Sequence, residues 1–321
     1  MKPRIFVTRK LPDSVMRELN AWADVVCHDA TDEPVPRDVL LRQVQGCAGI
    51  LSLITERIDA EVMDAAGPTL QIVANLAVGY DNIDVAAAKA RGVLVTNTPD
   101  VLTETTADLT FGLLLAAARR IPEAERTLRA GEWRTWSPMM MTGQDVYGAT
   151  IGIVGMGRIG AAVARRAKGF GMEICYFNRT RRPAVEAELG ARLVPLDELL
   201  TTADFVVVLA PLTPETHHLI GRREFELMKP TAVFINTARG PIVDESALVE
   251  ALRSGQIWAA GLDVFEQEPI SPRHPLLQLR NVVLLPHIGS ASIQTRLKMA
   301  QLAAENLRAA LLGGTPPNRV W

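Results

Sequence analysis

Along this chain, short unbroken apolar runs alternate with apolar stripes of helical period. Residues 4–8 form the first run, and residues 13–22 carry Val15, Met16, Leu19 and Trp22 on one side of a helix. Further runs follow at 49–53, 72–75 and 93–96, with helical patterns between them. Strands alternating with helices predict βαβ units and a parallel sheet. The pattern changes at Asn97-Thr98-Pro99, and one long Leu- and Ala-rich helix is predicted over 103–120. Residues 131–143 show no period and hold Trp133, Trp136 and the consecutive Met139, Met140 and Met141. Such a cluster lines an interface or a pocket, or packs in a core. A second βαβ series is predicted from strands at 150–154, 173–177, 205–209, 232–236, 259–261 and 282–285. The chain closes with a helix over 295–312 and an extended tail. The pattern leaves open which series that helix packs against.

A length of 321 residues suggests about two domains at roughly 150 residues each. Chains of this size bury large cores without disulfide or metal staples. The net charge of −2 gives no electrostatic reason to expect nucleic acid or a membrane surface as a partner. Cys27, Cys47 and Cys175 lie far apart with no CxxC pair, which argues against a zinc site and a disulfide framework. No metal is expected. His217 and His218 adjoin, but no carboxylate or cysteine stands near them at ligand spacing. The first apolar run is short and followed by charges, so it reads as a strand and not a leader. No apolar stretch is long enough to span a bilayer. Reduced thiols and the lack of such segments point to the cytoplasm.

The sharpest local chemistry is in TIGIVGMGRIG, residues 150–160. A predicted strand runs straight into Gly155-x-Gly157-x-x-Gly160 and then into a helix. The first glycine permits a tight turn, the second lets a pyrophosphate approach the backbone, and the third lets helix and strand pack closely. The helix N-terminus offers amide hydrogens and partial positive charge to the diphosphate. A dinucleotide is therefore the expected cofactor. The next strand ends in Asn178, where an NAD-binding domain usually carries an acid for the ribose 2′-hydroxyl. Arg179, Thr180, Arg181 and Arg182 follow. A guanidinium holds a 2′-phosphate that a carboxylate would repel. This turn predicts a preference for NADP(H), with NAD(H) as the other possible cofactor; the alternative is a solvated basic turn.

Three segments place a polar residue just beyond a predicted strand: VFINTARGPIVDE, AAGLDVFEQEP and NVVLLPHIGS. In open parallel sheets, ligands bind beyond the carboxyl ends of strands, so Arg239, Asp263, Glu268 and His287 are predicted to converge. With GMGRIG, these motifs resemble the D-isomer-specific 2-hydroxyacid dehydrogenase family. The resemblance spans the chain from SLITERIDAEVMDAA through ANLAVGYDNIDVAAAKARGVLVTNTP to HIGSAS. VANLAVGYDNID, VTNTPDVLTETTADL and Asn178-Arg179-Thr180 are most similar to the glyoxylate/hydroxypyruvate reductase branch.

The resemblance implies that Arg239 pairs with the substrate carboxylate and polarises the keto oxygen, that His287 is the acid/base and that Glu268 hydrogen-bonds it. A negative neighbour favours the charged imidazole that reduction needs. The resemblance further implies that backbone amides of Val78 and Gly79 hold the substrate carboxylate, with Leu53 as a pocket wall. Thr106 and Asp263 correspond to residues beside the nicotinamide. Arg158, Ile159, Thr237, Ala238, His287 and Gly289 complete the implied cofactor set.

The implied fold class is α/β: a flavodoxin-like substrate domain and a dinucleotide-binding domain, both Rossmann-like with parallel sheets and a cleft between them. The substrate domain is discontinuous, 1–99 plus 287–321, and the NAD(P)-binding domain is 100–286. The implied activity is NADPH-preferring reduction of glyoxylate or hydroxypyruvate by a homodimer joined through the cofactor domain. Two alternatives stay open: a dehydrogenase of another 2-keto acid, and a nucleotide-sensing binding protein like the corepressors that share this fold. The short termini speak against the second. Formate dehydrogenases of the superfamily carry glutamine where Glu268 stands, and phosphite dehydrogenases carry lysine in place of Val78.

Overall fold

A computed structural model describes residues 2–321. The chain divides into two compact units: one extends to Leu102 and resumes at Ala291–Trp321, and the other is Thr103–Ser290. The first unit contains β1 (Arg4–Val7), α1 (Asp13–Trp22), β2 (Asp24–Cys27), α2 (Arg37–Gln43), β3 (Gly49–Ser52), α3 (Ala60–Ala66), β4 (Ile72–Asn75), α4 (Val85–Ala90) and β5 (Leu94–Thr96). Its five strands are parallel in the order β2-β1-β3-β4-β5, the flavodoxin-like order. The central strands β3 and β4 are buried along their whole length, which is why they read as unbroken apolar runs.

The C-terminal helix Ile293–Leu311 packs on β3 and β4, so it belongs to this first unit. Gly49 lets it approach: a β-carbon there would lie 2.7 Å from Leu307 Cδ2. Asn306 is fully buried in the same helix. Its Nδ2 donates to the Leu302 carbonyl at 2.9 Å, and its Oδ1 accepts from the Asn318 amide at 3.1 Å. The tail is thereby drawn onto β5. Arg319 bridges Thr96 in antiparallel fashion, and the Val320 amide donates to the Val95 carbonyl at 2.8 Å. The expected extended tail thus covers an otherwise open sheet edge.

The second unit opens with α5 (Thr103–Ala118) and α6 (Ile121–Arg129), followed by β6 (Thr150–Val154), α7 (Arg158–Gly169), β7 (Glu173–Phe177), α8 (Pro183–Leu189), β8 (Arg192–Leu193) and α9 (Leu196–Thr202). It continues through β9 (Phe205–Val208), α10 (Arg222–Leu227), β10 (Val233–Asn236), α11 (Glu245–Ser254), β11 (Ala259–Leu262) and β12 (Val282–Leu284). The parallel sheet runs β12-β11-β10-β9-β6-β7-β8. This is the doubly wound dinucleotide-binding order with one added strand, and its direction of winding reverses between β6 and β9.

Several boundaries differ from the sequence expectation. The long helix stops at Ala118, two residues short of the expected end, and Arg120 turns left-handed at φ 54°. Pro122 starts a separate helix, α6, because proline fits a first turn but not a helix interior. The pattern also misses β2 and β8, which lie at sheet edges and are partly or fully exposed. The unit boundaries fall at 102/103 and 290/291 instead of 99/100 and 286/287. Residues 287–290 stay with the second unit because the Asp263 side chain holds the amides of Ile288 and Gly289. Residues 131–143 form neither helix nor strand. Among the described residues no helix is long and apolar enough to cross a membrane.

Candidate active site

The glycine loop joins β6 to α7 with Gly157 as the helix N-cap. Gly155 has φ 105°, and a β-carbon on it would lie 2.5 Å from the Ala210 amide nitrogen on the crossover from β9. A β-carbon on Gly160 would lie 2.4 Å from the Gly155 carbonyl oxygen. Gly157 has nothing within 4 Å of the equivalent position. Two glycines therefore serve close packing, and the third leaves the backbone open to a ligand. Arg158 and Ile159 lie in the first turn of α7, where helix amides lack intrahelical partners and the dipole is positive. The residues present fit a diphosphate group.

After β7, Asn178 folds back so that its Nδ2 donates to the Thr180 carbonyl at 2.7 Å. Arg181 is taken by Glu186, with Nη2 to Oε2 at 2.7 Å. Arg179 is exposed and makes no ion pair or side-chain hydrogen bond among the described residues. Arg179 and Arg181 are thus unequal: Arg181 fastens α8, and the exposed Arg179 acts on the Glu215 carboxyl through its charge, helping to lower its pKa.

Arg239, Asp263 and His287 follow the neighbouring strands β10, β11 and β12. The buried Asn236 shapes the first of these turns: its Oδ1 accepts from the Ala238 amide at 3.0 Å, and its Nδ2 donates to the Arg239 carbonyl at 2.9 Å. Arg239 is half-buried, with Nη1 donating to the Ala238 carbonyl at 2.8 Å. Gly240 lies against the next loop, since a β-carbon on it would fall 1.8 Å from the Phe265 carbonyl carbon. That loop carries Glu268. Its Oε1 accepts from the Phe265 amide at 3.1 Å, and its Oε2 receives the His287 Nδ1–H at 2.7 Å. With Nδ1 engaged, Nε2 is the ring nitrogen left for proton exchange. His287 has φ 53°, a left-handed conformation that non-glycine residues rarely adopt.

Asp263 is 1% exposed and holds that conformation in place. Its two oxygens accept from the Ile288 and Gly289 amides, each at 2.7 Å. Burial pushes its carboxyl above the ordinary range, and the two amides and the His287 charge offset this only in part. Thr106 closes the other side, since a β-carbon on Gly289 would lie 3.3 Å from its Cγ2. The Thr106 carbonyl accepts from Thr110 Oγ1 at 2.7 Å, and Thr110 Oγ1 lies 2.7 Å from Thr237 Oγ1. Thr106, Thr237, Asp263, Glu268, His287 and Gly289 therefore form one connected cluster, and Arg239 joins it through Gly240. Ala238 lies in the same turn.

Leu53, Val78 and Gly79 lie in the first unit, beyond the carboxyl ends of β3 and β4. The Asn75 side chain ties this region together, with Nδ2 donating to the Gly79 carbonyl at 2.8 Å. Sequence reasoning missed Asn75, Asn236 and Gly240, because they act on backbone groups that carry no residue-type signal. The sequence also offered no carboxylate near His218 at ligand spacing. His218 stacks on His217 at 4.1 Å, and its Nε2 meets Glu266 Oε1 at 2.6 Å. Among the described residues no group of His, Cys, Asp and Glu forms a metal site.

Residues 111–289 match the family model described as D-isomer specific 2-hydroxyacid dehydrogenase, NAD binding domain. The glyoxylate reductase of Korarchaeum cryptofilum is 56% identical over 327 residues, covering 100% of this chain and 96% of that protein. The chain belongs to the D-isomer specific 2-hydroxyacid dehydrogenase family. The glyoxylate reductase of Thermococcus onnurineus is 54% identical over 324 residues, with the same two coverages. A crystal structure of a protein from Thermus thermophilus superposes with TM-score 0.93 at 48% identity, covering 99% of this chain and 100% of that one. A second is the NADPH-dependent glyoxylate/hydroxypyruvate reductase of Sinorhizobium meliloti in complex with NADP and malonate. Its TM-score is 0.86 at 40% identity, covering 100% of this chain and 97% of that one. As a 2-hydroxyacid dehydrogenase the protein is an oxidoreductase, and its second unit contains the NAD-binding domain.

The contact at Gly240 generates a test that replaces no polar site residue. Gly240→Ala must displace the Phe265 backbone and with it Glu268. A misplacement of about 1 Å costs on the order of 100-fold in turnover. Steady-state kinetics with far-ultraviolet circular dichroism should show that loss with secondary structure intact; wild-type turnover would remove the loop contact from the site.

Proposed function

We propose that the protein reduces glyoxylate to glycolate, accepts hydroxypyruvate as a second substrate, and uses NADPH in preference to NADH. The observation that carries this is the His287–Glu268 pair at 2.7 Å, set beyond the carboxyl ends of the strands of the same sheet as Arg239 and the glycine loop. Relatives of about half-identical sequence that are called glyoxylate reductases support the choice of acid.

The proposed roles follow from charge and geometry. Arg239 orients the substrate carboxylate and stabilises the negative charge that grows on the keto oxygen. His287 donates its Nε2 proton to that oxygen, while Glu268 holds Nδ1 and fixes the ring. When bound, the reduced nicotinamide supplies the hydride that the carbonyl carbon accepts. The product is the 2-hydroxy acid, and His287 is left neutral to take up a solvent proton. In the oxidative direction the neutral ring is the base. Val78 and Gly79 offer backbone amides to the substrate carboxylate, and Leu53 limits the size of its side chain. Gly157, Arg158, Ile159 and Gly160 hold the diphosphate, Asn178, Arg179 and Thr180 the adenosine ribose with its 2′-phosphate, and Thr106, Thr237, Ala238, Asp263 and Gly289 flank the nicotinamide.

This activity belongs to a cytoplasmic homodimer. The unpaired Cys27, Cys47 and Cys175 suit a reducing compartment. Leu128, Trp133, Trp136 and Met139 are exposed on the second unit, Trp136 by 72%. Large apolar side chains left exposed along one stretch of chain support an association surface, and a second copy of the chain is the proposed occupant. Light scattering should give about twice the 35.0 kDa chain mass. A monomer at micromolar concentration would refute that part.

The activity itself is tested by following NADPH and NADH oxidation with glyoxylate, hydroxypyruvate and pyruvate in parallel. Wild-type protein should turn over the first two with NADPH, and silence with all three acids would sink the proposal. Arg179→Ala should raise the KM for NADPH by roughly 10-fold or more, as expected for losing a charge-assisted phosphate contact, and leave NADH nearly unchanged. Equal effects on both cofactors would remove Arg179 from the 2′-phosphate. His287→Ala should lower kcat by about 100- to 10,000-fold, the usual weight of a general acid. NADPH binding, read by fluorescence titration, should persist; the opposite pattern would contradict the acid/base role.

A further inference from the structure

Three successive peptides in the loop after β4 have their carbonyl oxygens pinned. The Ala77 carbonyl accepts from the Thr98 amide at 2.8 Å, the Val78 carbonyl from Asn97 Nδ2 at 2.9 Å and the Gly79 carbonyl from Asn75 Nδ2 at 2.8 Å. In a trans peptide the N–H points away from the C=O. Each pinned carbonyl therefore turns the following amide, on Val78, Gly79 and Tyr80, to the opposite side. Among the described residues none of these three amides donates a hydrogen bond.

The side chains that pin the carbonyls are themselves held. Asn75 is fully buried, accepts from Ser52 Oγ at 3.1 Å and donates from Nδ2 to Asn82 Oδ1 at 3.1 Å. Asn82 Nδ2 donates to the Leu53 and Glu56 carbonyls, each at 3.0 Å. The Leu53 amide in turn donates to Glu56 Oε2 at 3.1 Å. Glu56 is 3% exposed and is anchored by Thr8 Oγ1 at 2.7 Å and Arg9 Nη2 at 3.1 Å. One buried polar network thus fixes both the loop after β3 and the loop after β4. A buried amide left unpaired is costly, so each member constrains the next.

We propose that Asn75, Asn82 and Asn97 are positioning residues for substrate. They hold back the carbonyl ends of the 77–80 peptides so that the amides of Val78, Gly79 and Tyr80 form an anion-binding loop for the 2-keto acid carboxylate. Successive amides presented in this way make an anion-binding concavity. None of the three asparagines touches substrate; each acts through the backbone it holds. The inference rests on assigning the 78–79 loop to the substrate carboxylate, and it adds Tyr80 as a third donor.

The test compares wild type with Asn97→Ala and Asn82→Ala in the full-length protein. Asn97 is half-buried, and its replacement frees only the Val78 carbonyl; Asn82→Ala loosens both loops. Each variant should raise the KM for glyoxylate by about 10-fold, with kcat within about 3-fold, because the loop loses orientation and the reacting groups do not. NADPH affinity by fluorescence should not change. A merely structural role would lower the unfolding temperature without this split. Calorimetric titration with oxalate, a carboxylate analogue that does not react, reads the loop without turnover. Weaker oxalate binding by the variants supports the inference even if wild type reduces no tested acid, in which case the proposed function fails alone. A folded Asn97→Ala protein with wild-type glyoxylate KM and oxalate affinity overturns it.

Discussion

The second unit depends on what Asp263 does with its two oxygens. Each accepts a backbone amide at 2.7 Å, from Ile288 and Gly289, in a place where the carboxylate is almost wholly removed from water. A carboxylate buried in this way is tolerable only with strong donors. Burial still wins on balance and raises its proton affinity. The charged form therefore costs stability, a cost that sets in as the pH rises from the ordinary carboxylate range through the raised native value. What the cost secures is the left-handed turn at His287, whose two following amides Asp263 holds. With the turn in place, Nδ1 reaches Glu268; without it, the histidine would leave the sheet edge along with the chain that continues to Ala291.

Close backbone contact does the rest. Gly240 admits the Phe265 carbonyl where no side chain fits, so the loop bearing Arg239 and the loop bearing Glu268 are in register. Phe265 also donates its amide to Glu268 Oε1 at 3.1 Å. The same short stretch thus sets the arginine on one side and the acid on the other. Rigid placement of this kind is how a site lowers a barrier without adding new groups.

The elements most legible in sequence are those buried on both faces. The strands β4, β6 and β7 coincide with their predicted runs, because a central parallel strand has no polar face to interrupt it. The exposed edge strand β8 and the partly exposed β2 leave no such trace. The glycine loop and the Arg239, Glu268 and His287 motifs are legible because residue type and spacing carry their chemistry. The supporting polar contacts are not. Glu266 stands 48 residues from His218, and Asn82 stands 29 from Leu53. Such pairings are made by the fold, and the partner is often a carbonyl that every residue possesses. The Gly240 contact is hidden for the same reason: a glycine in sequence does not say what would strike its β-carbon.

The two units treat the peptide dipole in opposite ways, and the difference has chemical content. At 288–289 a carboxylate consumes the amides, so that turn offers an incoming anion no free donors and brings the Asp263 charge near His287. At 77–80 neutral groups consume the carbonyls, and among the described residues the amides of Val78, Gly79 and Tyr80 donate no hydrogen bond. Asparagine suits that second task because its amide donates without bringing charge. An aspartate at 75 or 97 would repel both the carbonyl it should hold and the anion proposed for this loop. In the proposed site, the placement of acid in one loop and amide in the other therefore separates the cation-favouring part of the chemistry from the anion-favouring part. It does so with backbone groups whose orientation, not identity, carries the information.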